Sequence, residues 1–148
     1  MDSTGCTSLV HTVRDILTRS PSLKKINLAY LHSVTQDTIL AIALHCHGLL
    51  ELNVNRCKNL EASGLLALVS IEILRASHLR GMNDEVWEKI VDRYGSSLVV
   101  LDVSYSTGLT DAGFSTTKEI ILPRLRHLNL SGCQSLTDLA MGFLSSGL

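Results

Sequence analysis

The chain has almost no net charge: 13 Lys and Arg against 14 Asp and Glu leave −1 over 148 residues, with both signs interspersed. This gives no electrostatic footprint for nucleic acid or for an anionic membrane surface, so neither is expected as a partner. Long apolar runs are also missing, because Asn, Lys, Glu, Arg or Ser interrupts them every few residues. Asp2, His11, Arg14 and Asp15 stand near the start. No transmembrane span or signal peptide is expected. The four cysteines, Cys6, Cys46, Cys57 and Cys133, are not clustered like a disulfide framework. Reduced thiols of the cytoplasm or nucleus fit them better. Gly64, Gly81, Gly95, Gly108, Gly113 and Gly132 are scattered and form no phosphate loop. Potential metal ligands gather only at His45, Cys46 and His47, with Cys57 downstream. Cys46 falls on an apolar register while its neighbours flank it outward, so paired zinc-ligand spacings are missing. No metal, no cofactor and no enzymatic centre is expected. A cysteine nucleophile would need an exposed thiolate beside a base, whereas the register buries all four thiols.

What is present is a recurring phrase. Leu23, Ile26 and Leu28 are echoed by Leu49, Leu52 and Val54, by Ile71, Leu74 and Ala76, by Leu98, Leu101 and Val103, and by Leu125, Leu128 and Leu130. The starts lie 26, 22, 27 and 27 residues apart, within the range of a leucine-rich repeat whose units bury apolar faces against one another. Counting from the first Leu, apolar positions recur at +0, +3, +5, +8, +11, +16 and +19. Alternation over +3 to +5 predicts a short strand, and the +16 to +19 spacing predicts one stripe of a helix. The expected fold is an α/β leucine-rich-repeat solenoid, a horseshoe with parallel strands on its concave face and helices on its convex face. An aspartate at Leu101 or Leu128 is expected to unfold it.

Punctuation agrees. Asn83-Asp84, Thr110-Asp111 and Thr137-Asp138 share positions +12 and +13, where a side-chain oxygen can cap a starting helix. Pro21 and Pro123 both precede a +0 Leu by two residues, where a helix must stop. The short second unit has Glu61-Ala62 in place of the cap, so its helix should be short. Unit four carries Ser115, Thr116 and Thr117, poor helix residues, and an irregular convex segment from Phe114 to Leu122 is expected. Trp87 at +16 is expected as core filler between units two, three and four.

The chain is read as one domain, 1–148, with full repeats from about 23, 49, 71, 98 and 125 and a partial repeat over 1–22. In that partial unit Cys6, Leu9, Val13 and Leu17 take positions +8, +11, +15 and +19. Neither end shows a capping sequence, and no F-box is found, so an excerpt of a longer horseshoe is expected. The alternative is that another copy or a partner covers the ends.

At +8 the residues are Cys6, Leu31, Cys57, Leu79, Ser106 and Cys133, where most leucine-rich repeats carry Asn. The stretches from Leu52 through Cys57 to Leu60 and from Leu128 through Cys133 to Asp138 resemble the cysteine-containing leucine-rich-repeat subfamily. Cys46 at +23 resembles its second cysteine. That subfamily is best known from F-box proteins, whose F-box docks onto the adaptor of an SCF ubiquitin ligase while the horseshoe captures substrate. The resemblance therefore implies substrate recognition for such a ligase, with a protein substrate or regulator as partner. The adaptor would be reached only through an F-box that these residues do not include. Members without an F-box act as scaffolds or regulators, which is the alternative.

Outward columns of the concave face follow from the register. The +2 column is Lys25, Glu51, Ile73, Val100 and His127, and the +4 column is Asn27, Asn53, Arg75, Asp102 and Asn129. The +6 column is Ala29, Asn55, Ser77, Ser104 and Ser131, and the +7 column is Tyr30, Arg56, His78, Tyr105 and Gly132. Tyr and Arg are frequent anchors of protein interfaces, so partner contact is expected at the +2, +4 and +7 columns. The asparagines also fit a plain repeat consensus, and Arg75 has Asp102 and Glu51 as possible ion-pair partners.

Overall fold

The computed structural model describes residues 4–115 and 122–147, and side chains over 12–115 and 122–145. Five three-residue strands, β1 (Lys25–Asn27), β2 (Glu51–Asn53), β3 (Ile73–Arg75), β4 (Val100–Asp102) and β5 (His127–Asn129), pair in sequence order as one open parallel sheet. The register is in step across all five. Lys25, Glu51, Ile73, Val100 and His127 form one row, and Asn27, Asn53, Arg75, Asp102 and Asn129 another. The intervening +3 residues turn inward, where Leu52, Leu74 and Leu101 are fully buried, while Ile26 and Leu128 on the outer strands are half-buried. This parallel α/β array is the leucine-rich-repeat solenoid that the periodicity predicts.

The return segments differ from unit to unit. Helices α1 (Thr4–Arg19), α2 (Gln36–His45), α3 (Asp84–Tyr94) and α4 (Asp138–Gly147) are α-helical, whereas Ala62–Ala67 and Asp111–Gly113 are 3₁₀ turns. The second unit is thus short where a cap is missing, as its sequence predicts. Tyr94 explains how the tighter turn is tolerated. Its hydroxyl lies within donating distance of the carbonyls of Leu65 at 2.8 Å and Leu68 at 2.9 Å, and Arg93 Nε donates to the Leu68 carbonyl at 3.1 Å, so the end of the turn is satisfied from the next unit. In unit four the backbone after the 3₁₀ turn is described only to Ser115, so 116–121 of the expected irregular segment, Thr117 included, lie outside the described residues.

One register assignment is corrected. α1 begins at Thr4, so Cys6 and Leu9 stand in a helix and not in the +8 and +11 turn that the partial repeat assigns them. Their side chains lie outside those described. Leu17 is buried and Val13 packs against the core, so the helical stripe holds from there on.

Successive units are also tied by side chains on the convex edge of the sheet. The Asp84 carboxylate accepts from the Thr110 amide at 2.8 Å and hydroxyl at 2.6 Å. Asp111 repeats this with Thr137 at 2.9 and 2.6 Å. Each Thr-Asp pair therefore does two jobs, because Thr110 and Thr137 also accept from the amides of Ala112 and Leu139. Asn83 caps α3 by accepting from the Val86 amide at 3.0 Å. Trp87 is buried against Phe114 of the next unit, with ring centroids 4.6 Å apart.

Candidate functional site

Short strands leave the chain only two or three residues in which to turn from the concave face toward the convex one. The +4 side chain organises that turn. Asn27, Asn53, Asp102 and Asn129 each accept, through Oδ1, from the amide two residues later, at 3.0 to 3.1 Å. These are local turn bonds that only a short amide or carboxylate side chain can make. The asparagines therefore have a structural role in addition to any contact with a partner.

Arg75 is the exception in that column. It cannot accept, and the Ser77 amide that it leaves unserved is taken by Asn55 Oδ1 of the preceding unit at 2.8 Å. Arg75 is thereby freed from the turn and reaches sideways to Glu51, 2.7 Å away, and not to Asp102. Lys25 meets the same carboxylate at 3.2 Å. Hydrogen bonding from Arg75 and then Lys25 holds the Glu51 carboxyl below its ordinary value. One carboxylate thus serves two cations.

The +6 column faces outward only in part: Ser131 is exposed and Ala29 and Asn55 are half-buried. Ser77 and Ser104 are buried, because the backbone has already begun to turn inward and their amides are consumed by the bonds just described. The +7 column, in contrast, swings back out. Tyr30 and Tyr105 are 67% and 53% exposed, and the side chains stack in pairs along the rim. Arg56 lies over the Tyr30 ring at 5.9 Å, and His78 stacks on Tyr105 with centroids 4.1 Å apart and planes 23° from parallel. The Ser77 hydroxyl is 2.8 Å from His78 Nδ1. Burial first, and then the charge of Arg56, lowers the affinity of His78 for a proton below its ordinary value. Tyr105 in turn covers Gly132, where an added Cβ would meet its ring at 2.6 Å.

All four non-glycine members of the column have left-handed backbone, with φ of 66° at Tyr30, 59° at Arg56, 58° at His78 and 59° at Tyr105; Gly132 has 72°. Sequence reasoning placed these residues on the surface but missed this conformation. Gly132 in the same column was the available signal.

Ile73 and Val100 are half-buried side by side in the +2 row. They are bordered by an open depression of about 410 Å³ whose walls include Arg75, Val100, Asp102, Arg126, His127 and Asn129. The fold thus brings Lys25, Glu51, Ile73, Arg75, Val100, Asp102 and His127 onto one surface, with Tyr30, Arg56, His78 and Tyr105 along its rim. Arg126 is an addition that column reading omitted, since +1 was not counted as concave.

Among the described side chains, the thiols of Cys46, Cys57 and Cys133 belong to the interior. Cys57 donates to the Leu28 carbonyl at 3.1 Å and Cys133 to that of Val103 at 3.5 Å, each reaching back to the preceding unit. Burial pushes the thiols of Cys46, Cys57 and Cys133 above their ordinary value. In the His45, Cys46 and His47 run, Cys46 is buried and His47 exposed.

A Leucine Rich repeat family model matches residues 123–145. Over 129 residues the chain is 33% identical to the DNA repair protein rhp7 of Schizosaccharomyces pombe, covering 81% of this chain and 22% of that protein. It thus spans about a fifth of the curated relative. Among solved structures, the crystal structure of the Rad7 and Elc1 complex in yeast superposes with a TM-score of 0.47 and 20% identity, covering 94% of this chain and 49% of that chain. The in-step parallel strands, the repeated strand, turn and helix, and the family match over the last unit make this chain a leucine-rich-repeat solenoid.

Proposed function

We propose that this chain captures a protein substrate for an SCF-type ubiquitin ligase, using the concave columns as its contact face and catalysing nothing itself. The observation that carries the concave assignment is Arg75. A column that uses Asn or Asp for its own turn holds an arginine in the middle, and Asn55 has taken over the vacated amide. That exchange gives the sheet a cross-strand ion pair with Glu51, and it also sets on the outer face an Arg, a residue type enriched at interface hot spots. The ligase setting is supported by the resemblance of the units around Cys57 and Cys133 to the cysteine-containing repeats of F-box proteins. Docking onto the adaptor would be the work of an F-box in a longer form. A relative named for DNA repair favours the nucleus over the cytoplasm as the place of action. Among the described residues no helix is long and apolar enough to cross a membrane.

The test is affinity capture from lysate with this chain, with Arg75→Glu/Tyr105→Ala, and with any longer form from the same transcript. Tyr105 is exposed and Arg75 half-buried on the outer face of the sheet, so the double variant should fold normally by circular dichroism yet retain about a tenth or less of the captured protein. The adaptor should appear only with the longer form. Capture that survives the double variant would move the contact face elsewhere. Capture without adaptor in every form would leave a scaffold with no ligase role.

A further inference from the structure

The chain as a whole is slightly acidic, but its concave face is not. The +2 to +4 positions of the five strands place Lys25 at one end, Arg75 in the middle and His127 at the other, with Lys24 just before the first strand, its ammonium against Gly48, and Arg126 just before the last. Arg124 stands just outside the sheet. The carboxylates on the same surface are Glu51, Glu72 and Asp102, and each is already engaged. Glu51 is shared by Lys25 and Arg75, Glu72 faces Arg124 at 3.4 Å, and Asp102 holds the Ser104 amide. Lys24 and Arg126 have no ion-pair partner among the described residues. Between these basic ends lies the apolar pair Ile73 and Val100.

From this arrangement we infer that the concave face takes an extended acidic segment of a partner protein, with apolar side chains at its centre on Ile73 and Val100 and carboxylates at both ends. The inference rests on the concave reading above and supplies its chemistry. Adjacent strands are about 4.8 Å apart, so the five span roughly 19 Å, the reach of about six residues of extended chain running across them. A segment of that length puts its central side chains on the apolar pair and its ends beside Lys25 on one side and Arg126 and His127 on the other. A nucleic-acid backbone fits less well, because its unbroken phosphates would have to pass Glu51, Glu72 and Asp102. Complementary charge of this kind governs which partner is accepted and how fast it arrives.

The probe is a fluorescent peptide of about eight residues, two central Val flanked by Asp and Glu, followed by anisotropy. Comparators are its Asn and Gln counterpart, its Lys counterpart, and an oligothymidylate. The acidic peptide should bind best. It should weaken about tenfold with the Asn and Gln exchange, with Lys25→Glu/Arg126→Glu, and on raising salt from about 50 to about 300 mM. Both substituted side chains are exposed, so an unchanged melting curve verifies the fold. If the uncharged peptide binds equally well and is lost with Tyr105→Ala, the concave face is the site but its acidic preference is refuted. Tighter binding of the Lys peptide or of the oligothymidylate also overturns the inference. Absence of binding by every probe overturns it too, while the concave reading is then decided by its own capture experiment.

Discussion

A left-handed backbone is a costly place for a side chain, about 1–2 kcal/mol above glycine. Four units nonetheless put Tyr30, Arg56, His78 and Tyr105 there, while the fifth uses Gly132. Contacts within the column offset part of that cost. The Arg56 guanidinium over Tyr30 contributes about 0.5–1 kcal/mol at an exposed site, and His78 and Tyr105 cover each other's faces. Arg56→Gly separates stability from recognition most cleanly, because Arg56 is exposed and its backbone amide already bonds to the Ser77 carbonyl at 2.9 Å. Relief of strain is opposed by the lost cation contact and by the greater freedom of glycine in the unfolded chain. The expected outcome is a urea-unfolding free energy unchanged to within about 1 kcal/mol, with capture of the partner weakened. A variant that loses several times that stability would show that the column exists to hold the turn, and would remove it from the contact face.

Ties between neighbouring turns are the least uniform feature of the array. Units three to five are stitched by Asp84 to Thr110 and by Asp111 to Thr137. The first two units have Gln36 and Ala62 at the corresponding position and lack the clamp. The Thr137 hydroxyl and then its amide hold the Asp111 carboxyl below its ordinary 3.8. As pH falls, the unfolded chain therefore takes up that proton first. The clamp's contribution is complete above about pH 4 and disappears as pH drops through the lowered folded value. Urea midpoints measured from neutral to acid should fall less steeply for Asp111→Asn than for the natural chain below pH 3.8, with the two curves parallel above it. Parallel curves throughout would mean that the clamp is not formed in solution. The Thr-Asp repetition was visible in the sequence, but only as helix capping. That its acid reaches the next unit depends on the in-step register, which spacing alone does not establish. The +2 and +4 rows were legible because alternation maps directly onto one sheet face. The burial of Ser77 and Ser104 was not, since it arises from turns taken after the strand ends. Tyr94 was equally hidden: its partners, the Leu65 and Leu68 carbonyls, stand at the end of a 3₁₀ turn in another unit.

A solenoid transmits a defect only through its neighbours, so the same substitution should have different reach at different places. Leu101 is fully buried on β4, flanked in register by Leu74 and Leu128. Leu128 lies on the outer strand β5, half-buried, with a paired strand on one side among the described residues. The periodicity assigns both to one core column and predicts that an aspartate at either would unfold the array; the structure separates them. A carboxylate at Leu101 would sit among leucines with no donor to meet it, a cost of several kcal/mol. It would divide units one to three from unit five. At Leu128 water can still reach the charge, and only the last strand and α4 depend on that contact. Trp87 is a built-in reporter for the middle of the molecule, since its indole packs on Phe114 of unit four. Leu101→Asp should therefore abolish the native tryptophan fluorescence, which depends on unit four, while the dichroism of α1 and α2 in the units before it is retained. Leu128→Asp should retain the fluorescence signature while losing dichroism in proportion to α4, and should lose its last unit at lower urea than the rest. If both variants instead give one coincident transition by both probes, the chain folds as a single cooperative block. The nearest-neighbour description of its stability would then be wrong for an array of this length.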